Sequence, residues 1–135
     1  MMANENLALT FLFIASLILF LGVGMGAFGA HGIRGMLSDQ SMTIYQTAVS
    51  YQMSHGLGLG VIAAFSRHSQ QSKLLVWAGW LMVAGVVLFS GSLYILSLTG
   101  IRWLGAITPF GGLAFLVAWG LAAVYAWSSF KSRDL

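Results

Sequence analysis

The sequence predicts an all-α integral membrane protein, a bundle of four transmembrane helices. Three observations lead there. The chain is 59% hydrophobic and only 7% charged over 135 residues, where an average soluble domain carries roughly 25% charged residues. Its few charges leave four charge-free stretches, 6–33, 40–66, 74–101 and 103–130, each longer than the roughly 20 residues a helix needs to cross a bilayer. None of the four alternates with period two, and backbone inside hydrocarbon must satisfy its own hydrogen bonds, so helices are expected rather than barrel strands. The expected spans are 7–30, 44–65, 74–98 and 103–127, joined by short connections into a single domain, 1–135.

Span one has an apolar core from Leu7 to Leu21 with no Lys or Arg before it. A cleaved signal peptide normally has a basic leader, so this segment is expected to stay. Gly24, Gly26 and Gly29 satisfy G-x-G-x-x-G, but a dinucleotide fingerprint also needs a strand before it and an α/β unit around it. Gly22, Gly26 and Ala30 instead form a small-residue stripe that lets a second helix approach closely. His31 and Arg34 follow as polar candidates in the first loop.

Span two carries the most unusual chemistry. Ser38-Asp39-Gln40-Ser41 is expected to form a turn, and Thr43 to Gln46 fits a capping box that starts the helix near Thr43. At about 100° per residue, Tyr45, Ala48, Gln52 and His55 share a face, with Tyr51 at its edge. Lipid contact would be costly for that face, so it is expected to point into the bundle or toward a cavity. A neutral His55 bonded to a neighbouring helix is the plainer alternative.

Spans three and four add Ser90, Ser92 and Tyr94, then Thr108 and Pro109 within a glycine-rich stretch. Pro109 lacks an N–H and crowds the carbonyl four residues back, so a kink or local unwinding is expected in span four. Together His55, Gln52, Tyr51, Ser92, Tyr94, Thr108 and Pro109 are the candidate lining of an intramembrane polar pocket.

With four spans, both termini share a side. That side holds Arg67, Lys73, Lys131 and Arg133, against Arg34 and Arg102 opposite, and the excess puts both termini in the cytoplasm. Trp77 and Trp80 fall level with Tyr125 and Trp127, as an interfacial belt would, while Tyr94 and Trp103 mark the far face. Cell inner membrane, multi-pass, is the expected location.

Several function classes drop out. There is no cysteine, hence no thiolate metal site and no thiol nucleophile. The net charge of +3 is spread along the chain rather than clustered, so nucleic-acid binding is not expected. His31 and His55 differ in depth by roughly 18 Å at 1.5 Å per residue, and His68 lies on the other side, so no metal site and no cofactor are expected. Glu5 and Asp134 sit in tails and Asp39 in a loop, which leaves no carboxylate pair for acid–base work inside the bundle. Ser90 or Ser92 with His55 as base would lack a third orienting group. No enzyme activity is expected.

Four blocks in order, Gly26 to Gly32, Thr47 to Gln52 with His55, Phe89 to Tyr94, and Gly105 to Gly112, resemble the signature of the family called domain of unknown function 423. The chain departs from that pattern at Tyr45-Gln46, where Trp is common, and at Ala106, where Pro is. The resemblance covers nearly the whole chain and implies a small bacterial inner-membrane protein with four spans, without implying an activity. It also gathers His31, Gln52, His55, Ser92, Tyr94, Thr108 and Pro109 into the signature blocks. Two functions follow as expectations. The first is a non-enzymatic contact, assembly or stability protein that docks through the stripe of span one. The second is a small-ligand or ion binding or transport unit built around His55. The expected partners are the lipid bilayer and a homo-oligomer or larger membrane complex.

Overall fold

A computed structural model describes residues 2–68 and 72–131, and the side chains of residues 2–4 are not part of that description. Arg133 and Asp134, used above for orientation and for the carboxylate count, lie outside the described residues. The chain runs as α1 (Met2–His31), α2 (Asp39–His68), α3 (Lys73–Gly85), a π-helical turn (Val86–Ser90), α4 (Gly91–Thr99), a 3-10 turn (Arg102–Ala106) and α5 (Thr108–Lys131). Among the described residues there is no strand.

Three helical stretches, Glu5–His31, Lys73–Thr99 and Arg102–Lys131, are long and apolar enough to cross a membrane. Large apolar side chains such as Phe13, Phe20, Leu116 and Trp127 stand exposed on their outer faces, as a lipid-facing surface requires. The second helix has 30 residues, as many as α1, but is more polar. Three of its polar side chains, Gln52, His55 and Ser66, are buried.

Helix ends follow local chemistry. Ser38 accepts the Ser41 N–H at 3.2 Å, which caps α2 and starts it at Asp39. The turn expected over Ser38 to Ser41 is therefore the first turn of the helix. Thr43, the expected cap, is already inside, its hydroxyl donating to the Asp39 carbonyl at 2.9 Å. The third rod, α3 through α4, ends at Gly100, whose φ of 71° places it in the left-handed region. Its N–H donates to the Leu96 carbonyl at 2.8 Å, the usual glycine stop.

The irregularity expected within span four falls at a helix start. The 3-10 turn gives way to α5 at Thr108, so Pro109 occupies the first turn. Proline costs no helical hydrogen bond there, and the local departure from α-helix in span four is the 3-10 turn just before it. In the third rod the departure is the π turn, an insertion that shifts the facing of everything after it.

α1 packs along α2, and α3 along α5, while α2 also meets α3, the π turn and α4. Phe11, Leu59, Leu75, Met82, Phe115 and Ala118 fill the core between them. The third rod and α5 come close at Gly111, where a Cβ would run into the backbone nitrogen of Phe89. α2 and α5 are not among the extensively packed pairs. A seam therefore runs between them, floored by α3 and the π turn.

Candidate functional site

The shared face predicted on α2 is real: Tyr45, Ala48, Gln52 and His55 are all buried. Their partners, however, divide the expected pocket into separate groups. Gln52 is committed on both ends, its Nε2 donating to the Ile18 carbonyl at 2.9 Å and its Oε1 accepting the Tyr94 hydroxyl at 2.6 Å. Tyr94 thus points into the bundle instead of marking the far membrane face, and its ring meets that of Tyr45 edge-on with centroids 5.1 Å apart. Tyr45 in turn donates to the Met25 carbonyl at 2.7 Å. These contacts tie α4 to α2 and α2 to α1.

A second group joins the third rod to α5. Ser92 Oγ and Thr108 Oγ1 lie 2.8 Å apart, and Ser92 also reaches the Phe89 carbonyl at 3.0 Å. Ser90, the other serine of this stretch, donates across to the Ala48 carbonyl at 2.8 Å. Neither serine is bonded to His55. The expected convergence of Gln52, Tyr94, Ser92 and Thr108 on His55 does not occur, because each of these groups is already paired with a neighbouring helix.

His55 sits apart, on the α2–α5 seam. Its Nδ1 lies 2.9 Å from the Tyr51 carbonyl, a pure acceptor, so Nδ1 carries the proton and Nε2 of the neutral ring is a lone-pair acceptor. Nε2 has no hydrogen bond among the described residues, and it is not sealed from the surface. His55 is 8% exposed overall, and it lines a groove of about 790 Å³ with Tyr51, Pro109, Gly112, Leu116 and Trp119.

The surroundings of this ring are aromatic. Phe115 stacks on His55 with centroids 3.5 Å apart and planes at 15°. The Tyr51 ring lies 5.6 Å from that of His55, also at 15°, and 6.2 Å from that of Phe115, so it stands beside the stacked pair, and Phe89 backs Tyr51 at 4.3 Å. The π turn presents both Phe89 and the buried Ser90, one to the groove and one to α2. Of the expected pocket residues, then, the structure brings His55, Tyr51 and Pro109 together at one groove. Phe89, Phe115 and Trp119 complete it.

His31 and Arg34 are exposed at the end of α1 and in the loop after it, away from the seam. The small-residue stripe of α1 is used within the chain. A Cβ on Gly22 would stand 2.6 Å from Met53 Sδ, and one on Gly26 would meet Val49 at 3.5 Å. Gly29 takes the role expected of Ala30, with the Tyr45 ring 2.5 Å from where its Cβ would be, whereas Ala30 is exposed. The face predicted to dock a partner is thus occupied by α2.

Comparison with known proteins gives a family and no activity. No solved structure matches the chain significantly. A UPF0382 membrane protein of Staphylococcus haemolyticus is 52% identical over 121 residues, covering 90% of this chain and 95% of that one. The UPF0382 membrane protein YwdK of Bacillus subtilis is 48% identical over 116 residues, covering 86% of this chain and 94% of that one. A family model described as protein of unknown function (DUF423) matches residues 25–112. With that match and these relatives the chain, a membrane protein, belongs to the DUF423 family.

Proposed function

We propose that this protein is a non-catalytic binding unit of the cell's inner membrane, which holds a small lipid-soluble molecule in the groove between α2 and α5. The observation that carries this is His55, whose Nε2 has no hydrogen bond among the described residues and whose side chain lines the groove between α2 and α5. An acceptor left unmet in hydrocarbon is costly, and a ligand that donates to it removes the cost. Every other buried polar side chain of the predicted pocket already has a partner inside the bundle.

In this proposal α2 is the fourth span. Its 30 residues reach about 45 Å at 1.5 Å each, and α1, α3 and α4 screen it on three sides, so it needs less apolar surface than its neighbours. Arg67, Lys73 and Lys131 lie at one end of the bundle and Arg34 and Arg102 at the other, which favours cytoplasmic termini. The absence of catalysis is supported by the commitments of the groups around His55. Nδ1 is tied to a carbonyl rather than a carboxylate, and Ser90 and Ser92 donate elsewhere. A contact or assembly role through Gly22 and Gly26 has less support, because α2 covers that face.

Native mass spectrometry of the full-length protein released from mild detergent tests the proposal. A stoichiometric non-protein mass is expected, and it should disappear in Gly112→Leu, whose side chain would fill the groove. A Cβ at Gly112 meets Phe89 only at an ordinary 3.8 Å, so the new side chain leaves the backbone without a clash and extends from there. A bare chain, or a retained mass indifferent to Gly112→Leu, would overturn it.

A further inference from the structure

We infer that the C-terminal end of α2 holds one anionic diacyl phospholipid, its headgroup at Arg67 and His68 and its two chains in the grooves on either side of the helix. The inference does not depend on the ligand proposed at His55.

Two grooves flank this end of α2. One, of about 360 Å³, lies toward α1, with Leu9 and Leu12 across from Gly60 and Ala64. The second, of about 550 Å³, lies toward α5, with Val61 and Phe65 across from Trp119 and Ala126. Gly60, Ala64 and Arg67 form one row at helical spacing and Val61, Phe65 and His68 the next, so each row serves one groove. His68 lines both, and the two grooves therefore share a mouth. From that mouth to Gly60 is about 12 Å along the helix axis, within the roughly 15 Å that half of the hydrocarbon core provides. In a bilayer such space fills with acyl chain, because a void forfeits the contacts of its walls. Two chains joined at one glycerol can enter both grooves from a single mouth, and the second then binds as an intramolecular event.

Charge selects the headgroup. Among the described residues, Arg67, Lys73 and Lys131 lie at this end of the bundle against Glu5. Glu5 meets Arg67 by a single contact of 3.6 Å, and both side chains are more than half exposed. So exposed a pair is held weakly, and a guanidinium with five N–H donors keeps several of them for a phosphate. Basic groups placed at the membrane surface attract anionic lipid. A zwitterionic headgroup brings its own cation to the same place, where Lys73 and Lys131 repel it.

The test uses the full-length protein, stripped of lipid by detergent washing and titrated separately with dioleoyl phosphatidylglycerol, dioleoyl phosphatidylcholine and oleoyl lysophosphatidylglycerol. Binding is read by native mass spectrometry. Phosphatidylglycerol is expected to fill one tight site per chain, about tenfold more tightly than phosphatidylcholine and more tightly than the single-chain lipid. Arg67→Gln should remove the preference over phosphatidylcholine. Gly60→Leu, whose Cβ would meet nothing within 4 Å, should fill the smaller groove and bring the two-chain lipid down to the affinity of the lysolipid. Unchanged lysolipid binding verifies that this variant is folded. Gly112 lines neither groove, so Gly112→Leu should leave phosphatidylglycerol bound, and the phospholipid is told from the smaller molecule at His55 by its own mass.

Equal affinity for phosphatidylglycerol and phosphatidylcholine would overturn the inference, as would a lysolipid bound as tightly as the two-chain lipid. So would an Arg67→Gln protein that keeps the headgroup preference, or a Gly60→Leu protein that keeps the two-chain preference. Loss of phosphatidylglycerol in Gly112→Leu would place the phospholipid in the His55 groove and overturn it too. If phosphatidylglycerol is held as expected while no smaller mass is found, the function proposed above fails and this inference stands.

Discussion

Tyr94 donates its hydroxyl to Gln52 Oε1 across 2.6 Å, and the same amide donates onward to the Ile18 carbonyl on α1 at 2.9 Å. One side chain on α2 thereby links the helices on both sides of it. Hydrogen bonds between membrane helices are worth about 0.6 kcal/mol on average and about 1.7 at most. Tyr94→Phe is therefore expected to cost about 1 kcal/mol in mixed-micelle unfolding. Gln52→Leu should cost more, because it also strands the Tyr94 hydroxyl. The double variant should lose less than the sum of the two, since both remove the same contact. Strict additivity would show that the pair is not coupled.

The start of α2 makes a separate prediction. Ser38 caps the helix through the Ser41 N–H, whereas Thr43 bonds back to a carbonyl within it. Ser38→Ala is expected to destabilise by about 1 kcal/mol and to speed amide exchange over Asp39 to Met42. Thr43→Ala, which removes no cap, should leave both nearly unchanged. The reverse order of effects would place the helix start at Thr43 after all.

How much of this was legible in the sequence depends on which forces wrote it there. The buried face of α2 was readable because Tyr45, Ala48, Gln52 and His55 repeat at helical spacing, and all four are buried. The stripe on α1 was readable as a packing surface, but which helix would cover it was not, because small residues admit any close neighbour. The single pocket failed for a different reason. Its members lie on three separate rods, and the π turn at Val86–Ser90 alters the facing of Ser92 and Tyr94 relative to a continuous α-helix. Nothing in that apolar run announces the turn. Phe115 was equally silent, since an aromatic residue in an apolar span carries no mark of the histidine it will stack against.

Gly111 tests a close backbone approach between the third rod and α5. A Cβ there would run into the Phe89 backbone nitrogen, and backbone cannot swing aside as a side-chain tip can. Gly111→Ala is expected to cost about 1–3 kcal/mol, the usual range for overpacking, and to disturb the Phe89 wall of the groove. Gly120→Ala serves as the control, since a Cβ at Gly120 meets nothing within 4 Å. There the change should be neutral or slightly stabilising, alanine being the better helix former. A Gly111→Ala protein as stable as the Gly120→Ala one would mean that the two rods can separate without loss.

The number of spans can be settled by labelling, because the chain contains no cysteine and single cysteines can be introduced without background. If α2 crosses the bilayer, Arg34 and Trp103 lie on one side and Lys73 and Lys131 on the other. A membrane-impermeant maleimide added to intact cells should then modify R34C and W103C and spare K73C and K131C. If only the three strongly apolar stretches cross, the whole connection from α1 to α3 stays on one side, so R34C and K73C must label alike and W103C oppositely. The pair R34C and K73C therefore decides the matter whichever way the protein is inserted. Opposite labelling makes α2 a span, and with it places His55 and its groove inside the bilayer. Identical labelling would move α2 out of the hydrocarbon and remove the reason for an apolar ligand at His55.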